Sequence, residues 1–173
     1  METGSEPLAS EDILGEVKRS LRSRDVVNVE EEPVKLVIFT LGEGRYAFYG
    51  SEVREILSGC EVFPVPFLPG YLPGLINIRG DIESAVDLRH ILGKDKTPPG
   101  KALIIMAERG EFKSGIIIDA VEDVADLPQS KITPPLATLT GTARDLAAGT
   151  VELGGGQTAT LIDIEKLAAM VAL

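Results

Sequence analysis

Few side chains in this chain could do covalent or metal chemistry, and their spacing does not assemble them. The one cysteine, Cys60, and the one histidine, His90, lie far apart in sequence. A nucleophile needs a base within hydrogen-bond reach, but Gly59 precedes Cys60 and Asp87-Leu88-Arg89 precedes His90. Cys60 therefore reads as a small, half-buried packing residue at the end of a short helix, and His90 as part of a solvated helical turn. A small hydrolase built on the two is the alternative from the enzyme class, and it requires a histidine beside Cys60 in space.

Asp119, Glu122, Asp123 and Asp126 carry charge enough for a cation but lack the glycine-punctuated frame of a calcium loop. Asp119 reads better as the N-cap of a helix. Gly154-Gly155-Gly156 is followed by no Lys-Ser/Thr pair and sits in no G-x-G-x-x-G frame, so it is not a phosphate loop. Glu30-Glu31-Glu32, before Pro33, reads as a solvated charge run. These residues give no catalytic, cofactor-binding or metal-binding set.

What remains is Arg79, in the turn Asn77-Ile78-Arg79-Gly80-Asp81 of the stretch GLINIRGDIESAVDLRHILG. Arg79-Gly80-Asp81 spells the adhesion tripeptide, which carries no weight without an export signal. The amino terminus METGSEPLASEDILGEV lacks the basic start and apolar run of a signal peptide, and no stretch approaches the ~20 apolar residues of a membrane span. The chain reads as cytoplasmic. One cysteine excludes an intramolecular disulfide, and a net charge of −10 with scattered bases argues against nucleic acid. A guanidinium on a rigid hairpin can instead hold a carboxylate or backbone carbonyls of another protein. The competing role is a structural salt bridge to Asp81, Glu83 or Asp87.

The elements around this turn read as β. The 173 residues divide into a tail, 1–33, and an apolar-rich body, 34–173. The tail carries nine acids and four bases, and Ile13, Leu14, Val17 and Leu21 recur in it at the spacing of a short amphipathic helix that must dock on something. In the body, residues 35–41 and 45–49 flank the turn Gly42-Glu43-Gly44 as a hairpin. Residues 51–57 read as a short helix ended by Gly59. Strands follow at 61–65, 75–79 and 82–88. Alternation puts Asn77 and Arg79 opposite Ile76 and Ile78, buries Ile82, Val86 and Leu88, and turns Glu83, Ala85 and Asp87 outward.

The second half, about 101–173, repeats the first, about 34–96. A shift of 68 superposes Leu36 on Ile104, Gly42 on Gly110, Val53 on Val121, Glu55 on Asp123 and Ile56 on Val124. Val86-Asp87-Leu88 matches Ile162-Asp163-Ile164 at a shift of 76, with the extra residues assigned to loops near Ala147 and Gly154-Gly155-Gly156. The economical explanation is an internal duplication. Each half reads as hairpin, short helix and meander, hence two small β-barrels side by side.

The segments LVIFTLGEGRYAFYG, SEVREIL, GLINIRGDIESAVDLRHILG, ALIIMAERGEFKSGIIIDAVEDVADLP, TGTARDLAAG and TLIDIEKL resemble, in order, those of the CheW family of chemosensory coupling proteins. The resemblance covers residues 36–170 and leaves out the tail. It implies a mainly β fold of two five-stranded, SH3-like β-barrel subdomains with short helices, no enzymatic activity and no cofactor. It also implies two partners, the cytoplasmic hairpin tip of a chemoreceptor and the regulatory domain of a CheA-type histidine kinase, in membrane-associated or cytosolic arrays. Val53, Glu55, Gly74 and Arg79 fall on positions the family associates with partner binding. Ile56, Asn77, Asp81 and Glu83 complete the expected surface on the residue pattern. Glu83-Ser84 departs from the apolar, proline-bearing strand usual in the family. That departure leaves open a divergent CheW-like scaffold, serving surface motility or acting as an array spacer that lacks one partner.

Overall fold

The computed structural model describes residues 32–95 and 101–172; the expected tail helix and the linker Thr97-Pro98-Pro99-Gly100 lie outside the described residues. Two runs of β-branched, aromatic and aliphatic residues make the two hairpins. Strands β1 (Val34–Leu41) and β2 (Gly44–Tyr49) pair antiparallel from Leu36↔Tyr49 to Leu41↔Gly44. The first half continues as β3 (Val53–Glu61), β4 (Phe63–Pro64), β5 (Gly74–Ile78), β6 (Asp81–Asp87) and helix α1 (Leu88–Ile91). The second half repeats the order with β7 (Lys101–Arg109), β8 (Phe112–Ile118), β9 (Ala120–Leu127), β10 (Ile132–Thr133), β11 (Ala147–Gly154), β12 (Gln157–Ile162) and α3 (Ile164–Val171), with a further helix, α2 (Gly141–Leu146), before β11. Gly42 and Gly110, equivalent in the repeat, both take φ 60° at the first position of their hairpin connections, where a Cβ is disfavoured.

The repeat extends to the helix caps. Asp87 accepts the His90 N–H at the start of α1, and Asp163 accepts those of Glu165 and Lys166 at the start of α3. The apolar-Asp-apolar step is thus a strand running into a capped helix. The extra residues of the second half fall between β10 and β11, where 134–146 includes α2, and not around Gly154-Gly155-Gly156, which keeps the register of the first half.

Residues 51–57 are not helical. A 3-10 turn, Gly50–Glu52, leads into β3, on which Val53, Glu55 and Leu57 are more buried than Arg54, Ile56 and Ser58, a period of two. Seven residues make too few helical hydrogen bonds to offset nucleation, whereas β7 supplies a full antiparallel partner, with Val53↔Ala107 and Ile56↔Ile105. Gly59 does not end a helix; it takes φ 64° inside β3 where the register slips between Leu57 and Cys60. Likewise Asp119 caps nothing. It precedes β9, which pairs with β1, and its Oδ2 accepts the Gly42 N–H at 2.6 Å and Arg89 Nη1 at 2.7 Å.

The two sequence halves do not each fold into one barrel. One sheet runs β10-β11-β12-β2-β1-β9 and the other β3-β7-β8-β6-β5-β4, so each hairpin sits among strands of the opposite half. Each sheet has five strands of five or more residues and one two-residue strand. Each curls round its own core: Leu36, Ile38, Ala47, Val151, Ala159 and Leu161 in the first barrel, Ile76, Ala85, Ile104, Met106 and Ile117 in the second. The larger third core lies between them, where Phe39, Phe48, Val86, Ile105, Ile116 and Leu167 meet. Phe39 and Phe48 are fully buried there with ring centroids 4.8 Å apart.

Two outcomes follow from this interleaving. Phe48→Ala empties the shared core and lowers unfolding free energy by about 3–5 kcal/mol in chemical denaturation. Residues 1–98 and 99–173 expressed separately give no cooperative unfolding transition, because each lacks strands of both sheets, and co-expression restores one.

Candidate functional site

The β5–β6 hairpin turns on two residues, Arg79 and Gly80, beyond the last pair Ile78↔Asp81. Both have positive φ, 52° and 92°, the pattern of a type I′ turn that favours Asn-Gly. A Cβ makes that conformation costly, so an arginine there is unusual. At the equivalent turn of the second half the residues are Gly155 and Gly156, with φ 59° and 76°. Asn77 Oδ1 supports the first turn by accepting the Gly80 N–H at 2.8 Å.

The guanidinium reaches across the seam where the curled sheet meets itself, since β3 and β5 stand near opposite ends of its strand order. Arg79 Nη2 lies 2.7 Å from Glu55 Oε1 and Nη1 lies 3.0 Å from Oε2, a fork-on-fork pair. Glu55 is the covered partner, with 24% of its side chain exposed against 74% for Arg79. The hydrogen bonds from Arg79 hold the Glu55 carboxyl below the usual carboxylate range; partial burial opposes this, and the charges of Arg79, Arg54 and Lys113 add to it. The same bonds raise Arg79. Arg54 Nη1 meets Glu108 Oε1 at 2.6 Å, and Lys113 Nζ stands 3.9 Å from Glu83 Oε1. Arg54, Glu55, Arg79, Glu83 and Lys113, with Ile78, Asp81 and Met106, ring a polar cavity of about 80 Å³ at the mouth of the second barrel.

The expected partners of Arg79 are otherwise engaged or placed. Glu83 faces Lys113, Asp81 is exposed on the rim, and Asp87 is buried under the start of α1. The expected alternation along β6 fails. Ile82 is 57% exposed, Ala85 and Asp87 are buried, and only 18% of the Glu83 side chain is open. Glu83 pairs with Ile76 and shares its inward face, while Val86 meets the central core on the other, so both faces of β6 are covered beyond its first residues. Ser84 is accommodated by a second serine. Its hydroxyl lies 2.7 Å from that of buried Ser114, which donates to the Ser84 carbonyl at 3.0 Å.

Of the expected surface residues, Glu55, Ile56, Asn77, Arg79 and Asp81 reach solvent in whole or part, and Ile56 faces outward at 38% exposure. Val53 is half-buried against the central core. Gly74 is buried, and a Cβ on it would strike the Phe63 carbonyl, so it acts by letting β4 approach. Arg54, Glu108 and Lys113 were missed. Counting outward from the Gly110-Glu111 turn puts Glu108 opposite Lys113, a pairing that the hairpin signal alone supplies.

Cys60 packs on the second barrel's core, and burial pushes its thiol up, the reverse of an activated nucleophile. His90 sits on α1, its ring against Gly70. Among the described residues no group of three or more His, Cys, Asp or Glu could hold a metal ion, and no helix is long and apolar enough to cross a membrane.

Comparison with known proteins bears on the family and the fold. Residues 35–172 match the family described as CheW-like domain. The chain is 31% identical to "Chemotaxis protein CheW" of Treponema pallidum over 80% of this chain and 84% of that protein. It is 27% identical to "Protein FrzA" of Myxococcus xanthus over 75% of this chain and 81% of that protein. The crystal structure of the scaffolding protein TtCheW from Thermoanaerobacter tengcongensis superposes with a TM-score of 0.68 at 29% identity, covering 76% of this chain and 89% of that one.

Arg79→Gly relieves the left-handed backbone while removing an exposed ion pair, opposing effects that leave the melting midpoint within about 4 °C of wild type. In a carbon-detected titration, Glu55 titrates below the ~4.3 of a free glutamate and moves up in Arg79→Gly. Because the folded value is the lower one, the pair's contribution is intact at neutral pH and is lost as pH falls through that value. A Glu55 midpoint that Arg79→Gly leaves in place contradicts the assignment.

Proposed function

The chain belongs to the family of CheW-like domains, non-enzymatic chemotaxis scaffolds, and from that premise we propose that it joins the cytoplasmic hairpin tip of a chemoreceptor to the regulatory domain of a CheA-type histidine kinase. It does so in the cytoplasm, at receptor arrays, and by contact geometry alone. Receptor state reaches the kinase as a difference in binding free energy between two arrangements of the assembly.

The observation that carries this reading is the posture of Arg79. A guanidinium has five N–H donors, and the two bonds to Glu55 leave the others free for a partner's carboxylates or carbonyls. Glu55 fixes the side chain beforehand, so little rotamer freedom is lost on binding. Ile56 and Asn77 offer adjoining apolar and polar contact, with Asp81 and Glu83 setting charge at the rim and Val53 and Gly74 supporting from beneath. The inward turn of Glu83 confines its influence to that rim. A divergent scaffold for surface motility, or a spacer with one partner, rests on the Glu83-Ser84 departure alone.

The test is capture by the purified chain of receptor-tip fragments and of the kinase regulatory domain, together and with each omitted in turn. The wild type retains both. Arg79→Glu, folded as judged by its melting transition, weakens capture of at least one partner by roughly tenfold or more, as expected for a charge-assisted bond turned repulsive. Undiminished ternary assembly by Arg79→Glu removes Arg79 from the site, and wild-type capture of one partner only supports the spacer.

A further inference from the structure

The duplication gives the molecule two equivalent barrel mouths, and only one is closed by an arginine. The mouth of the first barrel is lined by Ile38, Glu122, Asp123, Ala125, Leu127, Leu153 and Gln157 and holds about 270 Å³, against about 80 Å³ for the second. Four of the lining residues correspond under the sequence repeat. Ile38 answers Met106, Glu122 answers Arg54, Asp123 answers Glu55 and Gln157 answers Asp81. The residue answering Arg79 is Gly155, so nothing reaches Asp123 across this seam. Glu122 is held by Arg45 at 2.8 Å, whereas Asp123 accepts only the N–H of Val124 and has no ion pair among the described residues. The result is a groove of mixed lining, apolar at Ala125, Leu127 and Leu153 and acidic at its lip, beside a strand, β9, that ends its sheet.

We propose that this groove is the docking site of the chain's own amino-terminal segment, residues 13–24. The chain enters the fold at this place: Val34, the first residue of β1, pairs with Leu127, which lines the groove, and Ile38 pairs with Asp123 at its acidic end. The ten residues from Arg24 to Val34 span up to about 33 Å when extended, enough to turn back over a strand of about 13 Å between Leu127 and Asp123. The chemistry matches as well. Ile13, Leu14, Val17 and Leu21 supply an apolar stripe for the partly exposed Ala125, Leu127 and Leu153, and Lys18, Arg19, Arg22 and Arg24 are all the bases of residues 1–33. One of these cations takes the place at Asp123 that Arg79 takes at Glu55. A partner that uses this end of the first barrel must displace the segment.

Limited trypsin digestion of the full chain tests the proposal, because its cleavage points in the segment are those four bases. Docked, they are cut slowly. Asp123→Lys speeds their cleavage by about fivefold at low salt, and added salt does the same to the wild type. Gln157→Lys, at the exposed first residue of β12 in the same groove, is a second variant in case the first perturbs folding, with the melting transition as control. Asp81→Lys, at the other mouth, leaves the rate unchanged. Equal cleavage of wild type, Asp123→Lys and Gln157→Lys overturns the proposal, as does faster cleavage in Asp81→Lys. Protection that disappears on dilution also overturns it, assigning the groove to a second copy's segment.

Discussion

A curled sheet must meet itself at a seam, and what bridges each seam governs how this molecule presents its surface. In the second barrel the bridge is the Arg79–Glu55 pair, two charge-assisted bonds anchored on a half-covered carboxylate. The rim charges Arg54, Glu83, Glu108 and Lys113 are arranged around it. The backbone at Arg79 adopts the left-handed turn that the tight β5–β6 connection demands, although glycine fills the same place in the duplicate. At Arg79 a long charged side chain is thus carried at a backbone conformation that favours glycine. In the first barrel that side chain is missing, and a groove stands in its place.

The interleaving of the halves makes this difference possible. Exchange of hairpins ties the two sheets through one shared core, so neither barrel depends on its seam for integrity. The burial of Phe39, Phe48, Ile105 and Ile116 dominates stability, while exposed ion pairs contribute little. The seams are therefore free to differ in charge and opening.

Much of the fold was legible in the residues. Paired β-branched runs around Gly42 and Gly110, and the repeat of apolar-Asp-apolar before α1 and α3, identified a duplicated β body. The exchange of hairpins was not, because pairing between halves leaves no local trace. SEVREIL satisfies helical and strand spacing equally, and the free edge of β7 decided the matter. Glu83 defeated simple alternation because a strand covered on both faces has no outward side except at a barrel's open end. The site showed itself as a lone arginine in a turn. Its partner, Glu55, was among the expected surface residues, but their meeting depended on a curl that no spacing encodes.

Arg79 can offer its charge outward to a partner or merely close the barrel. A charge swap, Glu55→Arg with Arg79→Glu, separates the two roles, with capture of receptor-tip fragment and kinase regulatory domain measured on the doubly substituted chain. The swap restores a pair across the seam, and the account predicts a melting transition close to wild type with capture still reduced. Capture returning to the wild-type level in the swapped chain would contradict it, leaving the pair as a structural clasp alone.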